Sequence, residues 1–274
     1  MYPRILTDGL ARSISIAAPP QRIVCLVPSL TEWLFDLGLE DRVVGVTKFC
    51  VRPKHWRRTK AVVGGTKNIH LERLFSLSPD LVIANREEND RETVEQIMRT
   101  IPVYTSDVRD FNMAMAALQD IAYLCSREAH GSALIQSIQA QCNQPIIKKR
   151  SSCLYLIWKE PLMTVSQDTF IHDMLRRSGF DPISVAAAGR YPTITPEVAL
   201  TLRPEFVMLS SEPYPFEERH REEMQTWFPD AKVVLVNGET FSWYGSRMLF
   251  FDGWKYHGAV DNSRDMSSSC ASVE

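Results

Sequence analysis

The chain reads as an α/β protein built from two Rossmann-like lobes with central parallel sheets, and three observations predict that fold class. Short apolar runs alternate with helical patterns along most of the length, the signature of βαβ units. One segment recurs: residues 69–84 (IHLERLFSLSPDLVIA) and 194–209 (ITPEVALTLRPEFVML) stand 125 positions apart (194 − 69) and agree at five of sixteen positions. Between the copies runs a long stretch of helical period that has no repeat partner.

The first strand is expected over 22–27, stopped by Pro28. A helix follows through Leu37, with Ser29 as N-cap and Glu32 three residues on in a capping-box arrangement, and Gly38 ends it. Next come a strand at 43–46, a short helix at 71–77, a strand at 81–84, a helix at 92–98 and a strand at 103–105. These make an N-terminal lobe over 1–110. From 111 to about 142, Met115, Leu118, Ile121, Leu134 and Ile138 fall at helical spacing. That predicts one backbone helix, about 45 Å long at about 1.5 Å per residue, within a connector assigned to 111–145. After Pro145 the alternation resumes with a strand at 153–158, a helix at 170–178 ended by Gly179, and a short helix at 196–202. A strand at 206–209, a helix at 217–227, a strand at 233–236 and a last helix from Ser246 complete a C-terminal lobe over 146–260. The Ser-rich end, 261–274, has no period and is expected to be a disordered tail.

With 31 Lys and Arg against 33 Asp and Glu, and a formal charge of −2, the chain lacks the basic excess that nucleic-acid binding requires. No run of about 18 apolar residues is present to span a membrane. Arg4, Asp8 and Arg12 interrupt the start, where a secretory signal would be apolar, so the chain as given shows no signal peptide. The six cysteines form no C-x-x-C pair, which argues against a zinc knuckle or redox motif. Walker, G-x-G-x-x-G, H-E-x-x-H and nucleophile-elbow motifs are missing too, so no catalytic residues are assigned and no intrinsic cofactor is expected.

In open α/β sheets ligands bind beyond the carboxyl ends of the strands. Two facing lobes would therefore wall a cleft with the residues that follow each strand: Ser29; Phe49 and Cys50; Asn85 and Arg86; Trp158 and Lys159; Trp243, Tyr244 and Arg247. This set is aromatic and polar with few acids. It suits a sizeable planar or anionic ligand better than a bare divalent metal. Trp158 and Tyr244 are candidates to stack on the ligand, and Arg86, Lys159 and Arg247 to meet its carboxylates or phosphate. Cys50 and His55, five residues apart in one loop, are the candidate ligands for haem iron or a soft metal.

The runs RIVCLVPSLTEWLFDLG, DRVVGVT, NIHLERLFSLSPDLVIA and ITPEVALTLRPEFVML resemble the class III ABC-transporter solute-binding proteins, the helical-backbone receptors for cobalamin, haem and siderophores, and most nearly the cobalamin-binding members. The start, Thr7 to Arg12 before Ser13 to Ile16, looks like the N-terminal hairpin of siderophore receptors. Asn85 departs from the cobalamin binders, which carry an aromatic there. The resemblance implies a monomeric periplasmic receptor that takes a metal-chelate ligand in its cleft and delivers it to a permease dimer with its ATPase. It also implies that Glu72 and Glu197, one acid per lobe, dock onto the permease. Two readings compete with it on the same two-lobe fold: a cytosolic tetrapyrrole- or metal-handling enzyme, and a cytosolic ligand sensor. Both follow if the sequence is complete without a signal.

Overall fold

The computed structural model describes residues 2–143, 150–185 and 189–258. It opens with a hairpin of β1 (Arg4–Thr7) and β2 (Ser13–Ile16), paired antiparallel as the resemblance implies. Asp8 shapes the turn by accepting the backbone N–H groups of Leu10 and Arg12, each at 2.9 Å. Gly9 ties the turn to the carbonyl of Thr105 at 2.9 Å.

The first sheet contains β3 (Ile23–Cys25), β4 (Val43–Val46), β5 (Ala61–Val62), β6 (Leu81–Asn85) and β7 (Val103–Ser106), all parallel, in the order β5-β4-β3-β6-β7. Its helices are α1 (Pro28–Asp36), α2 (Trp56–Thr59), α3 (Leu71–Ser76) and α4 (Arg91–Met98), with a 3₁₀ turn at Glu40–Arg42. Two helices come next, α5 (Phe111–Leu124) and α6 (Glu128–Cys142). The second sheet holds β8 (Ser151–Trp158), β9 (Met163–Thr164), β10 (Phe180–Pro182), β11 (Phe206–Ser210) and β12 (Lys232–Val236). It runs β10-β8-β11-β12 in parallel, with β9 antiparallel on β8. Around it stand α7 (Phe170–Arg177), α8 (Pro196–Thr201), α9 (Glu218–Trp227), α10 (Gly238–Ser242) and α11 (Lys255–Gly258).

The repeat extends to topology, because the order β4-β3-β6-β7 in one sheet matches β10-β8-β11-β12 in the other. It also extends to backbone detail. Ser78 and Arg203, equivalent positions in the two copies, both adopt the left-handed region (φ 46° and 44°) just past α3 and α8, and Pro79 and Pro204 follow. A left-handed residue then a proline is how a helix is stopped abruptly. Gly38 and Gly179 end α1 and α7 at positive φ in the same way, as expected.

Three expectations are corrected. The helical connection between the sheets is present, but in two segments, because Ser126 takes φ 56° and the chain turns. The second helix lies against the first, where a Cβ on Gly131 would stand 2.5 Å from that of Ala122. Only glycine permits that approach. At α1, Val27 rather than Ser29 is the N-cap, Pro28 supplies the first helical residue, and no side chain caps the end. Glu32 turns away and forms an ion pair with Arg247. The last predicted helix is a 3₁₀ turn, Ser246–Phe250, ahead of α11. The expected tail at 261–274 lies outside the described residues.

Side chains alternate along the central strands and separate three cores. Ile23, Cys25 and Val27 from the first sheet and Cys153, Tyr155 and Ile157 from the second join one cluster, together with Leu118 and Ile121 of α5 and Ile138 of α6. Val24 and Leu26 face an outer core with Leu74 and Ile97. Leu154 and Leu156 face another with Ala199 and Met224. One continuous apolar cluster thus runs under both sheets.

Candidate ligand-binding cleft

Between the two sheets lies a cavity of about 710 Å³. Its walls come from segments that follow the carboxyl ends of strands, as the parallel topology requires. Pro28 and Ser29 come after β3, Phe49 and Val51 after β4, Thr66 and Lys67 after β5, Glu87 and Glu88 after β6, and Val108 after β7. The other wall has Ile157 and Trp158 at the end of β8, Met163, Phe170, Ile171 and Tyr191, then Glu212 and Pro213 after β11. Glu239, Ser242, Trp243 and Tyr244 close it from the segment after β12.

Five of the sequence-predicted residues line this cavity: Ser29, Phe49, Trp158, Trp243 and Tyr244. Phe49 and Trp158 keep 49% and 37% of their surface exposed, so they are the faces free to take a ligand. Trp158 is steadied by an edge-on contact with Tyr214 and by its indole N–H donating to the Glu160 carbonyl at 3.0 Å. Tyr244 is buried. It hydrogen-bonds Ser106 Oγ at 2.8 Å, accepts from Asn85 Nδ2 at 3.4 Å, and packs edge-on against Phe170. It therefore latches the two sides of the cleft instead of offering a stacking face.

The other five candidates are engaged elsewhere. Asn85 is buried, and its amide holds Glu88 Oε1 at 3.1 Å while its carbonyl oxygen accepts the Glu88 N–H at 2.7 Å. Arg86 pairs with Asp107 at 2.9 Å, Lys159 with Glu223 at 2.6 Å and Arg247 with Glu32. Cys50 is fully buried beside the Thr47 hydroxyl, and burial pushes its thiol up to about 11, so it stays protonated and a poor metal ligand at neutral pH. His55 is on the surface, 2.5 Å from Glu40 Oε1. Among the described residues, no group of three or more His, Cys, Asp or Glu is placed to hold a metal ion.

The expectation of few acids is also corrected. Four carboxylates line the cavity, Glu87, Glu88, Glu212 and Glu239, against one ammonium, Lys67. Glu87 and Glu212 occupy equivalent positions, each two residues past the end of an equivalent strand. Glu87 accepts from the Tyr191 hydroxyl at 2.7 Å and pairs with Arg190 at 2.9 Å. Arg190 also reaches Asp107 at 2.7 Å. Burial alone would raise Asp107, but hydrogen bonds from Arg109, Arg190 and Arg86 more than offset it and hold the carboxyl below its usual range. Among the described residues Glu88 makes no ion pair, Lys67 acts on it only at a distance, and burial pushes it up to about 7. Burial also raises Glu212, only partly countered by the Ser242 hydroxyl at 2.6 Å. Glu239 pairs with Arg52 at 3.1 Å across the mouth.

Glu72 and Glu197 are not among the residues lining the cavity; each is exposed in the first turn of its short helix, α3 and α8. Three residues after each acid stands an exposed apolar side chain, Phe75 (38%) and Leu200 (47%), again at equivalent repeat positions.

Comparison with known proteins agrees with this architecture. A lipoprotein of Bacillus subtilis described as an uncharacterized ABC transporter substrate-binding lipoprotein is 28% identical over 187 residues, covering 64% of this chain but only 59% of that protein. A vitamin B12-binding protein of Pectobacterium carotovorum is 24% identical over 250 residues, 88% of this chain and 89% of its own length. Among solved structures, the periplasmic vitamin B12 binding protein BtuF of Vibrio cholerae superposes with a TM-score of 0.74 at 20% identity, covering 87% of this chain and 96% of that one. A periplasmic haem-binding protein of Roseiflexus gives 0.73 at 19% identity, with 86% and 96% covered. The profile of the periplasmic binding protein family matches residues 23–232. With parallel sheets in matching order on either side of a cleft and that match across most of its length, the chain belongs to the periplasmic binding protein family.

Proposed function

We propose that the protein is the solute-binding receptor of an ABC importer, taking a corrinoid or similar metal-chelate ligand between its two sheets and handing it to a permease dimer. The observation that carries this reading is the cleft itself: a 710 Å³ cavity at the carboxyl ends of both sheets, with Phe49 and Trp158 as exposed aromatic faces. The relatives named above that bind vitamin B12 or haem support the same ligand class. Within that class the four carboxylates favour a ligand that is cationic or rich in N–H donors. Haem propionates and catecholate siderophores would meet like charge, whereas the amide-bearing corrin ring would meet acceptors.

Glu72 and Glu197 are the proposed permease contacts. Two equivalent acids on the two halves of the receptor fit a two-fold partner, and Phe75 and Leu200 give each acid an apolar neighbour on its helix. Delivery to a membrane permease would place the receptor outside the cytoplasmic membrane.

Tryptophan fluorescence tests the ligand reading. Titration with cobalamin, haem and ferric siderophores should show saturable quenching by the corrinoid first. Trp158→Ala should weaken binding roughly three- to tenfold, the scale of one lost aromatic contact. No saturable response to any of the three would overturn the assignment, and chemical conversion of a bound ligand would favour an enzyme.

A further inference from the structure

We propose that a second cavity, beside the mouth of the cleft, is an anion subsite that takes a phosphate-class group. This surface cavity of about 540 Å³ is bordered by Val51, Arg52, Lys54, Arg57 and Arg58, so four of its five lining residues are cations. Among the described residues, Lys54, Arg57 and Arg58 have no carboxylate in ion-pairing range, and all three are exposed. Arg52 holds Glu239 with one nitrogen, while its buried Nε has no hydrogen-bond partner among the described residues. Glu40, the acid on the neighbouring turn, is taken up by His55 at 2.5 Å and by the Trp56 indole at 3.1 Å.

The cations are held on a pinned frame. Trp56 anchors α2 in the core, and the Arg52 carbonyl accepts the buried Thr31 hydroxyl at 2.7 Å. Leaving like charges together without counter-charge costs free energy in the empty protein. An anion with several acceptor oxygens removes that cost, and the planar guanidinium forks match phosphate geometry. The cavity adjoins the cleft, because Val51 lines both, and the Arg52–Glu239 pair stands at the border. Carboxylates on one side of that border and cations on the other would accept a ligand with a donor-rich body and an anionic appendage. Free phosphate has the same chemistry and is the other possible source.

Calorimetry on the full chain at low salt separates these sources. Wild-type protein should bind inorganic phosphate saturably, and the triple variant Lys54→Ala/Arg57→Ala/Arg58→Ala should weaken this by about tenfold or more. The substituted side chains are exposed, and near-ultraviolet circular dichroism checks that the variant keeps its fold. Cobalamin, whose tail carries a phosphodiester, is then compared with cobinamide, which lacks it. Loss of affinity for cobalamin but not cobinamide in the variant assigns the subsite to an appendage of the cleft ligand. Loss of phosphate binding alone assigns it to a free anion. If neither phosphate nor cobalamin binding responds to the substitutions, the subsite is overturned. The phosphate arm decides this even if no corrinoid enters the cleft, a result that would count against the proposed ligand class and not against the subsite.

Discussion

Glu88 shows how the cleft stores unfavourable electrostatics until a ligand arrives. Its carboxyl is held by Asn85, among the described residues no cation forms an ion pair with it, and burial lifts it from 4.5 to about 7. Between those values the folded protein keeps a proton that the unfolded chain has released, so this group makes stability fall as pH rises through the window. Glu88→Gln keeps the oxygen that Asn85 binds and removes the charge. Its melting temperature should match wild type near pH 4.5 and exceed it by a few °C at pH 8; an offset independent of pH would show that Glu88 is not the group responsible. At this scale the sequence was partly legible. Ser29, Phe49, Trp158, Trp243 and Tyr244 were found because they directly follow strands or lie in an aromatic run near one. Glu87 and Glu212 were missed because they stand two residues beyond the strand ends, where the offset of 125 alone could have paired them. Arg86, Lys159 and Arg247 look free in sequence, since their partners Asp107, Glu223 and Glu32 are 21, 64 and 215 positions away.

The elements were more legible than the side chains. Strand periodicity, Gly38 and Gly179 placed most boundaries, because these signals are local. What escaped detection was a helix break without glycine or proline: Ser126 turns the chain through a left-handed conformation that the apolar spacing of 111–142 does not reveal. Gly131 weakens an isolated helix, but here it is the contact point between two. Gly131→Val should destabilise the protein by roughly 1–3 kcal/mol in chemical denaturation, since its side chain meets Ala122 and the helices must part. A change below about 0.5 kcal/mol would mean that the crossing is not close-packed. For α3 and α8, Glu72→Ala with Glu197→Ala should abolish ligand delivery in reconstituted vesicles while leaving affinity in solution unchanged. A loss of affinity instead would refute the docking role.

At the scale of the whole molecule, the connection between the sheets is two helices and not the single one that the spacing of 111–142 predicts, so stiffness has to come from elsewhere. A shared apolar core runs under both sheets, and polar links cross the cleft at Tyr244–Ser106, Arg247–Glu32, Arg190–Glu87 and Arg52–Glu239. Opening the cleft widely would expose that core at about 25 cal/mol per Å² of apolar surface. Small-angle scattering should therefore change little when ligand is added, and a large fall in the radius of gyration would contradict this. The most direct test of the central claim is a crystal structure of the protein with the corrinoid bound. The ligand is expected between the two sheets, its ring against Phe49 or Trp158 and its donors toward Glu87 and Glu212; a ligand seated outside that cleft would contradict the proposal.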